Sequence, residues 1–366
     1  MAEERDVTVA GEHEAALLAL AQGVVAPDPG NLERAWGRLD SLTKPPRSLG
    51  RLEELAARIA LVQGTDHPQA SPAAVVLCAG DHGVVEEGVS AWPAEVTWQM
   101  VANFVSGGAA INQIARQVGA ELVLVDVGVL GDTSGLEGVV QAKVRAGTRN
   151  LAREAAMTRE EAAEAFMAGA RVAQRLASEG VRVIATGEMG IGNSTVASAL
   201  VAALSGVPVE QVIGRGTGVD DAALARKTAV VKRALAVHPT MPDDPLGTLA
   251  AFGGLEIAAM AGVFVGGAAA GACVVSDGFI SSAAALAAVR LCPACAAFVF
   301  PSHLSREPGH RVALVSLGLE PYLDLRMALG EGTGAALGLG VMGAACAMMS
   351  GMATFAEAGV SDREDG

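Results

Sequence analysis

The chain has 366 residues, a formal net charge of -14 and 51% hydrophobic residues, with aromatics at only 3%. Acids and bases are interspersed, so no basic face is offered to nucleic acid or to an anionic membrane, and an anionic substrate has to be held locally by backbone amides and a few Lys or Arg. The length suits two domains or one large one, filled by Ala, Val, Leu and Met packed closely against Gly.

The N-terminal stretch MAEERDVTVAGEHEAALLAL carries acids where a secretory signal has its basic segment. Five cysteines without regular spacing make no disulfide framework and suit a reducing compartment, so a cytoplasmic location is expected. Leu32 to Leu42 and Leu52 to Val62 read as amphipathic helices divided by TKPPRSLG, where Pro45 and Pro46 end one and Ser48 begins the next.

From Ala73 the pattern changes. AAVVLCA, ELVLVDVG, VRVIATG, ACVVSDG and AFVFPSH are short apolar runs, each followed by a polar or Gly-bearing loop and mostly by helical sequence. Such runs suit strands buried on both faces, and their alternation with helices predicts an α/β fold, a parallel sheet with Rossmann-like layers. Ligands are then expected beyond the carboxyl ends of the strands. Gly332 to Ala358 reads as helix again and is expected to pack on the N-terminal helices. This divides the chain into a small helical domain from both termini (1–70 with 336–366) and a large α/β domain (71–335). Ile257 to Ser276 and Ala335 to Ala356 are long and uncharged, but their Ala and Gly content and lack of basic flanks favour buried helices, with one strand in the first, over membrane spans. The last residues, SDREDG, read as a frayed end.

The segment ATGEMGIGNSTVASAL (185–200) combines a strand end, a glycine-rich turn and a helix start, so its backbone N–H groups suit a phosphate. Glu188 in that turn would be repelled by a phosphate unless it faced a cationic pyridinium or an oxocarbenium-like ribose; the alternative is a surface carboxylate. A second turn, IGRGTGVDD (213–221), leads into a helix with Lys227, which either neutralises the same phosphate or is solvated. Glu331, in LGEGTGAALGLG, either offsets a helix dipole or serves as a general base. His82, His303 and His310 lack the paired spacing of a zinc site. Cys292 and Cys295 form a lone CxxC that reads as two small apolar side chains. No metal and no cofactor is expected, and there is no GxGxxG run of the dinucleotide type, no Walker A sequence and no GxSxG elbow.

Taken in order from about Leu39 to Val360, KPPRSLGRLE, GDHGVVEEGVSAWPAEVT, GEMGIGNST, the Lys227 helix, GGLEIAAMAG, DGFISSAAALAA, PSHLS and MALGEGTGAALGL resemble the nicotinate-nucleotide:dimethylbenzimidazole phosphoribosyltransferases. The resemblance implies a homodimer that moves the 5-phosphoribosyl group of nicotinate mononucleotide to 5,6-dimethylbenzimidazole or a related base, giving α-ribazole 5'-phosphate and nicotinate during assembly of the cobamide lower ligand. It implies small-molecule substrates, with no nucleic acid or membrane as partner. By the same resemblance Glu331 is the general base and Glu188 a second acid of the site. Gly190, Gly216, Lys227, Gly278 and Ser305 surround the phosphoribosyl group, with Asp277 and Gly330 close by. The base pocket departs from the best-known form of the family: Trp92 and Met100 replace small or polar residues and Met189 replaces a leucine, beside Leu329. These side chains make an apolar, polarisable wall for a flat ring and leave the preferred base open between benzimidazole, phenolic and purine types. A nucleotide sensor without turnover is the other reading left open.

Overall fold

Strand β1 (Ala73–Gly80) is buried along its whole length because helices cover both of its faces. Ala74, Val76 and Cys78 meet one layer and Val75 and Leu77 the other, the period-2 alternation of a strand. The computed structural model describes residues 11–216, 220–238 and 243–361. The middle of the IGRGTGVDD turn and all but the first residue of SDREDG lie outside the described residues.

The other strands are β2 (Ala120–Gly128), β3 (Val139–Gln141), β4 (Val183–Met189), β5 (Cys273–Ser276) and β6 (Val299–Pro301). They form one six-stranded sheet, ordered β3, β2, β1, β4, β5, β6, with every pairing parallel. The order reverses between β1 and β4, so a crevice opens there at the carboxyl ends of the strands. The α/β fold expected from the apolar runs is therefore observed. β3 is an addition: it is short, sits at the sheet edge and carries no apolar run to announce it.

The helices, in chain order, are α1 (Glu12–Gly23), α2 (Gly30–Asp40), α3 (Arg51–Gln63), α4 (Glu95–Val105), α5 (Ala110–Gln117), α6 (Arg159–Ser178), α7 (Asn193–Ser205), α8 (Val209–Val212), α9 (Asp221–Val237), α10 (Pro245–Phe252), α11 (Leu255–Ala269), α12 (Phe279–Leu291), α13 (Pro308–Leu317), α14 (Thr333–Gly351) and α15 (Phe355–Ala358). One sheet face is covered by the layer containing α6, α7, α11 and α12, the other by that containing α3, α4, α5 and α14. Helix α1 packs on α6. The segments α2–α3 and α14–α15 meet on the second layer, where α14 packs on α3, the Arg38 guanidinium donates to the Met352 carbonyl (2.8 Å) and Phe355 N–H to the Ser41 carbonyl (3.1 Å).

Of the two long apolar stretches, the first is α11 followed by β5, buried throughout the helix apart from its C-terminal end. The second contains α14, which among the described residues is the one helix long and apolar enough to cross a membrane; half of it is buried in this fold. All five cysteines are buried and unpaired, and the Cys292 thiol donates to the Ala21 carbonyl of α1 (3.3 Å).

Few aromatics are needed because glycine brings helices together. A Cβ at Gly262 of α11 would collide with the Phe166 carbonyl of α6, and one at Gly169 of α6 with the Ala259 carbonyl of α11. We expect Gly262→Ala to destabilise the fold by about 1–3 kcal/mol, its gain in helix propensity being outweighed by overpacking. A urea midpoint equal to that of the native chain would contradict this contact.

Candidate active site

Beyond the carboxyl ends of β4, β5 and β6 lies a cavity of about 500 Å³. Every residue expected to bind substrate or act on it lines this cavity, from Trp92 and Met100 through Glu188, Met189, Gly190, Gly216, Lys227, Asp277, Gly278 and Ser305 to Leu329, Gly330 and Glu331. The chain reaches it by the segments that follow four strands, β1, β4, β5 and β6, by the turn ahead of α9 and by the loop that starts α14.

Gly330, Glu331 and Gly332 have φ of +87°, +61° and +82°. Glycine adopts these values freely, but a glutamate in the left-handed region costs of order 1 kcal/mol, which surrounding contacts must impose. The imposing group is the buried Asp277 carboxylate, which accepts from Gly332 N–H (3.2 Å) and Ala335 N–H (2.8 Å) at the start of α14. The Thr333 hydroxyl adds a bond to the Gly330 carbonyl (2.8 Å). Held this way, the Glu331 side chain is 7% exposed, and its Oε2 has no hydrogen-bond partner among the described residues. Burial, with the Asp277 charge adding to it, pushes the Glu331 carboxyl up to about 7.

Glu188 at the end of β4 packs where a side chain on residue 330 would stand, so Gly330 lets two carboxylates share one end of the cavity. Asn193, at the start of α7, donates its amide N–H to Glu188 Oε2. Even so, burial, followed by the charges of Asp277 and Glu256, pushes the Glu188 carboxyl well above the usual carboxylate range. This end therefore combines two carboxyls that burial holds above the usual carboxylate range, Glu331 at about 7.

At the other end, the buried Lys227 ammonium of α9 donates to Gly214 O (3.0 Å) and Ser194 Oγ (3.1 Å). An ammonium has three N–H donors, so a third is left for a ligand. Burial holds its pKa below the ordinary lysine value, an effect the Glu307 carboxylate opposes. Ser305 is fixed by its own N–H donating to His310 Nδ1 (2.9 Å), which leaves His310 Nε2 to donate to Ser282 Oγ (3.0 Å). Burial pushes His310 down to about 3, so it is a neutral structural group. Trp92 and Leu329, both about half exposed, stand at the mouth with Met100 and Met189.

A family profile described as Phosphoribosyltransferase matches residues 24–360. The nicotinate-nucleotide–dimethylbenzimidazole phosphoribosyltransferase of Geobacter metallireducens is 51% identical over 92% of this chain and 96% of its own length, and that of Chloroflexus aggregans 52% identical over 90% and 93%. A crystal structure of CobT from Thermus thermophilus superposes with a TM-score of 0.88 at 52% identity, covering 91% of this chain and 99% of that one. The chain belongs to the nicotinate-nucleotide:dimethylbenzimidazole phosphoribosyltransferase family.

Beside the residues expected of a phosphoribosyltransferase, the cavity is lined by Glu307, which sequence reading passed over, by Ser194 of the glycine-rich turn and by His303, weighed only as a metal ligand. His303 and Glu307 lie in the loop after β6, the position that fold rules mark for ligands. The histidines weighed as metal ligands have other neighbours. His82 Nε2 lies 2.9 Å from Glu256 Oε1 in a fully buried pair, and His303 Nε2 lies 3.7 Å from Asp277 Oδ1.

Replacing Asp277 by Asn, which offers one acceptor oxygen where the carboxylate offers two, should cost about 1–3 kcal/mol of stability for the unmet N–H group. It should also lower turnover by displacing Glu331. Chemical denaturation unchanged by Asp277→Asn would contradict the tie between β5 and α14.

Proposed function

We propose that this phosphoribosyltransferase transfers the 5-phosphoribosyl group of nicotinate mononucleotide to 5,6-dimethylbenzimidazole or a related flat base, giving α-ribazole 5'-phosphate and nicotinate for the cobamide lower ligand. The observation that carries the reading is Glu331: a buried carboxyl, raised to about 7, with one oxygen unengaged among the described residues, facing a cavity with a cation at its far end.

The chemistry follows from where charge moves. Nicotinate is bound to ribose through a pyridinium nitrogen, so it leaves as a neutral ring and needs little acid assistance. The incoming ring nitrogen gains positive charge as it attacks the anomeric carbon, and its partner nitrogen must lose a proton. Glu331 is the group we assign to take that proton, a service worth roughly 10² to 10⁴ in rate. Holding both substrates in one cavity makes the step effectively unimolecular. Attack from the face opposite nicotinate inverts the β-nucleotide to an α-riboside.

Lys227, with the turns at Gly190 and Gly216, is assigned to the phosphate, Gly278 and Ser305 to the phosphoribosyl group, and Trp92, Met100, Met189 and Leu329 to the base. The apolar character of those four side chains supports a methylated benzimidazole over a purine, whose ring nitrogens and amino groups need polar partners. The reading includes a cytoplasmic homodimer. It also includes a small helical domain from both termini beside the large α/β domain, for which the packing of α14 on α3 is the support.

Glu331→Gln is expected to bind nicotinate mononucleotide as the native chain does while losing roughly 10²-fold or more of its base-dependent nicotinate release. Undiminished release by this variant, or release by the native chain that does not depend on any added base, would refute the assignment.

A further inference from the structure

Glu307 is a carboxylate in the wall of a site read as binding a dianion. It ends the loop after β6 and sits at the N-terminus of α13. Its carboxylate accepts from the Gly216 backbone N–H, one of the turn amides assigned to the phosphate, and it lies against Gly214, where any Cβ would collide with its Oε2. That Oε2 is buried and has no hydrogen-bond partner among the described residues. Lys227, whose ammonium also holds Gly214 through its carbonyl, is the cation facing it from α9.

Glu307 is thus placed on one amide donor that a phosphate requires and beside the charge of Lys227. Two anions cannot share one lysine and one amide without mutual repulsion. We propose that Glu307 is a proton-linked counter-group of the phosphate site, releasing the Gly216 amide to the incoming phosphate by taking up a proton and then donating to a phosphate oxygen through the protonated carboxyl. The inference rests on the reading of the Lys227 end as the phosphoribosyl site. In the balance, one proton moves from solvent to the Glu307 carboxylate, the Gly216 amide exchanges its acceptor, and no covalent bond of the nucleotide changes.

The charged groups around Glu307 agree with this. Lys227 from α9 and Arg306 from its own loop favour the ionised form, while Arg215, between the two glycines that Glu307 touches, is paired with Asp221. Against those cations, burial still raises the Glu307 carboxyl above its ordinary value. A bound dianion adds a repulsive charge, raising it further. The sign follows: protonation accompanies binding in the window between the free and bound values, so affinity falls as pH rises through that window.

The test is calorimetry of the full chain above the phosphate's second pKa of about 6, with buffers of different ionisation enthalpy to count protons. The native chain should take up more protons with nicotinate mononucleotide than with nicotinate riboside, which lacks the phosphate. Glu307→Gln should bind the mononucleotide with less uptake, and its affinity relative to the native chain should improve with pH by up to about tenfold per unit, the limit for one linked proton. Equal uptake with nucleotide and riboside by the native chain overturns the role of Glu307, whether or not the variant folds. Equal uptake by native chain and variant overturns it too. Should nucleotide and riboside bind equally tightly, the phosphate site itself is misplaced, and this inference falls together with that reading.

Discussion

Asp277 ties the end of β5 to the start of α14 through two backbone N–H groups, and the position of the cavity's reactive carboxyl depends on that tie. A buried carboxylate of this kind is stabilising only while its acceptors are used, since an unpaired charge in the interior costs several kcal/mol. The same bonds force the chain through Gly330, Glu331 and Gly332 in left-handed conformation and project Glu331 inward. Glycines flank the glutamate for two reasons: the turn needs their φ, and Gly330 yields its side-chain space to Glu188. One interaction therefore sets the local backbone, the spacing of two carboxyls and the electrostatics of both.

The electrostatic arrangement is graded along the cavity. Three acidic groups, Glu188, Asp277 and Glu331, crowd one end, and a single buried ammonium marks the other together with Glu307. Burial raises each of these carboxyls, and it lowers the lysine. The raised carboxyls suit both the proton removal assigned to Glu331, which is held at about 7, and the phosphate linkage inferred for Glu307. The wall of Trp92, Met100, Met189 and Leu329 adds little polarity, which suits the flat apolar base proposed for this site.

The parallel sheet could be read from sequence because its strands are buried on both faces and hence apolar at successive positions. β3 escaped because three residues at an edge carry no such pattern, and α1 because its Ala and Leu residues mark no single helix face. Periodicity could place Glu331 before a helix but not choose between a dipole role and catalysis. The tie that holds its turn at the cavity comes from Asp277, more than fifty residues earlier and joined to it only through tertiary contact. Glu307 was legible by position, in a post-strand loop, but its relation to Lys227 and Gly216 required the packing of α9 against the loop that precedes α13. The residues carried over by resemblance line one cavity because their segments sit at the ends of adjacent strands.

The central claim is that Glu331 is held, buried and uncompensated, as a carboxyl poised to take a proton near neutral pH. Carbon-13 NMR of carboxyl-labelled glutamate, with the Glu331 resonance assigned by its loss in the Gln variant, measures this directly. The account requires that resonance to titrate at about 7; a midpoint at the ordinary glutamate value of 4.5 would mean the side chain lies in water and would contradict it.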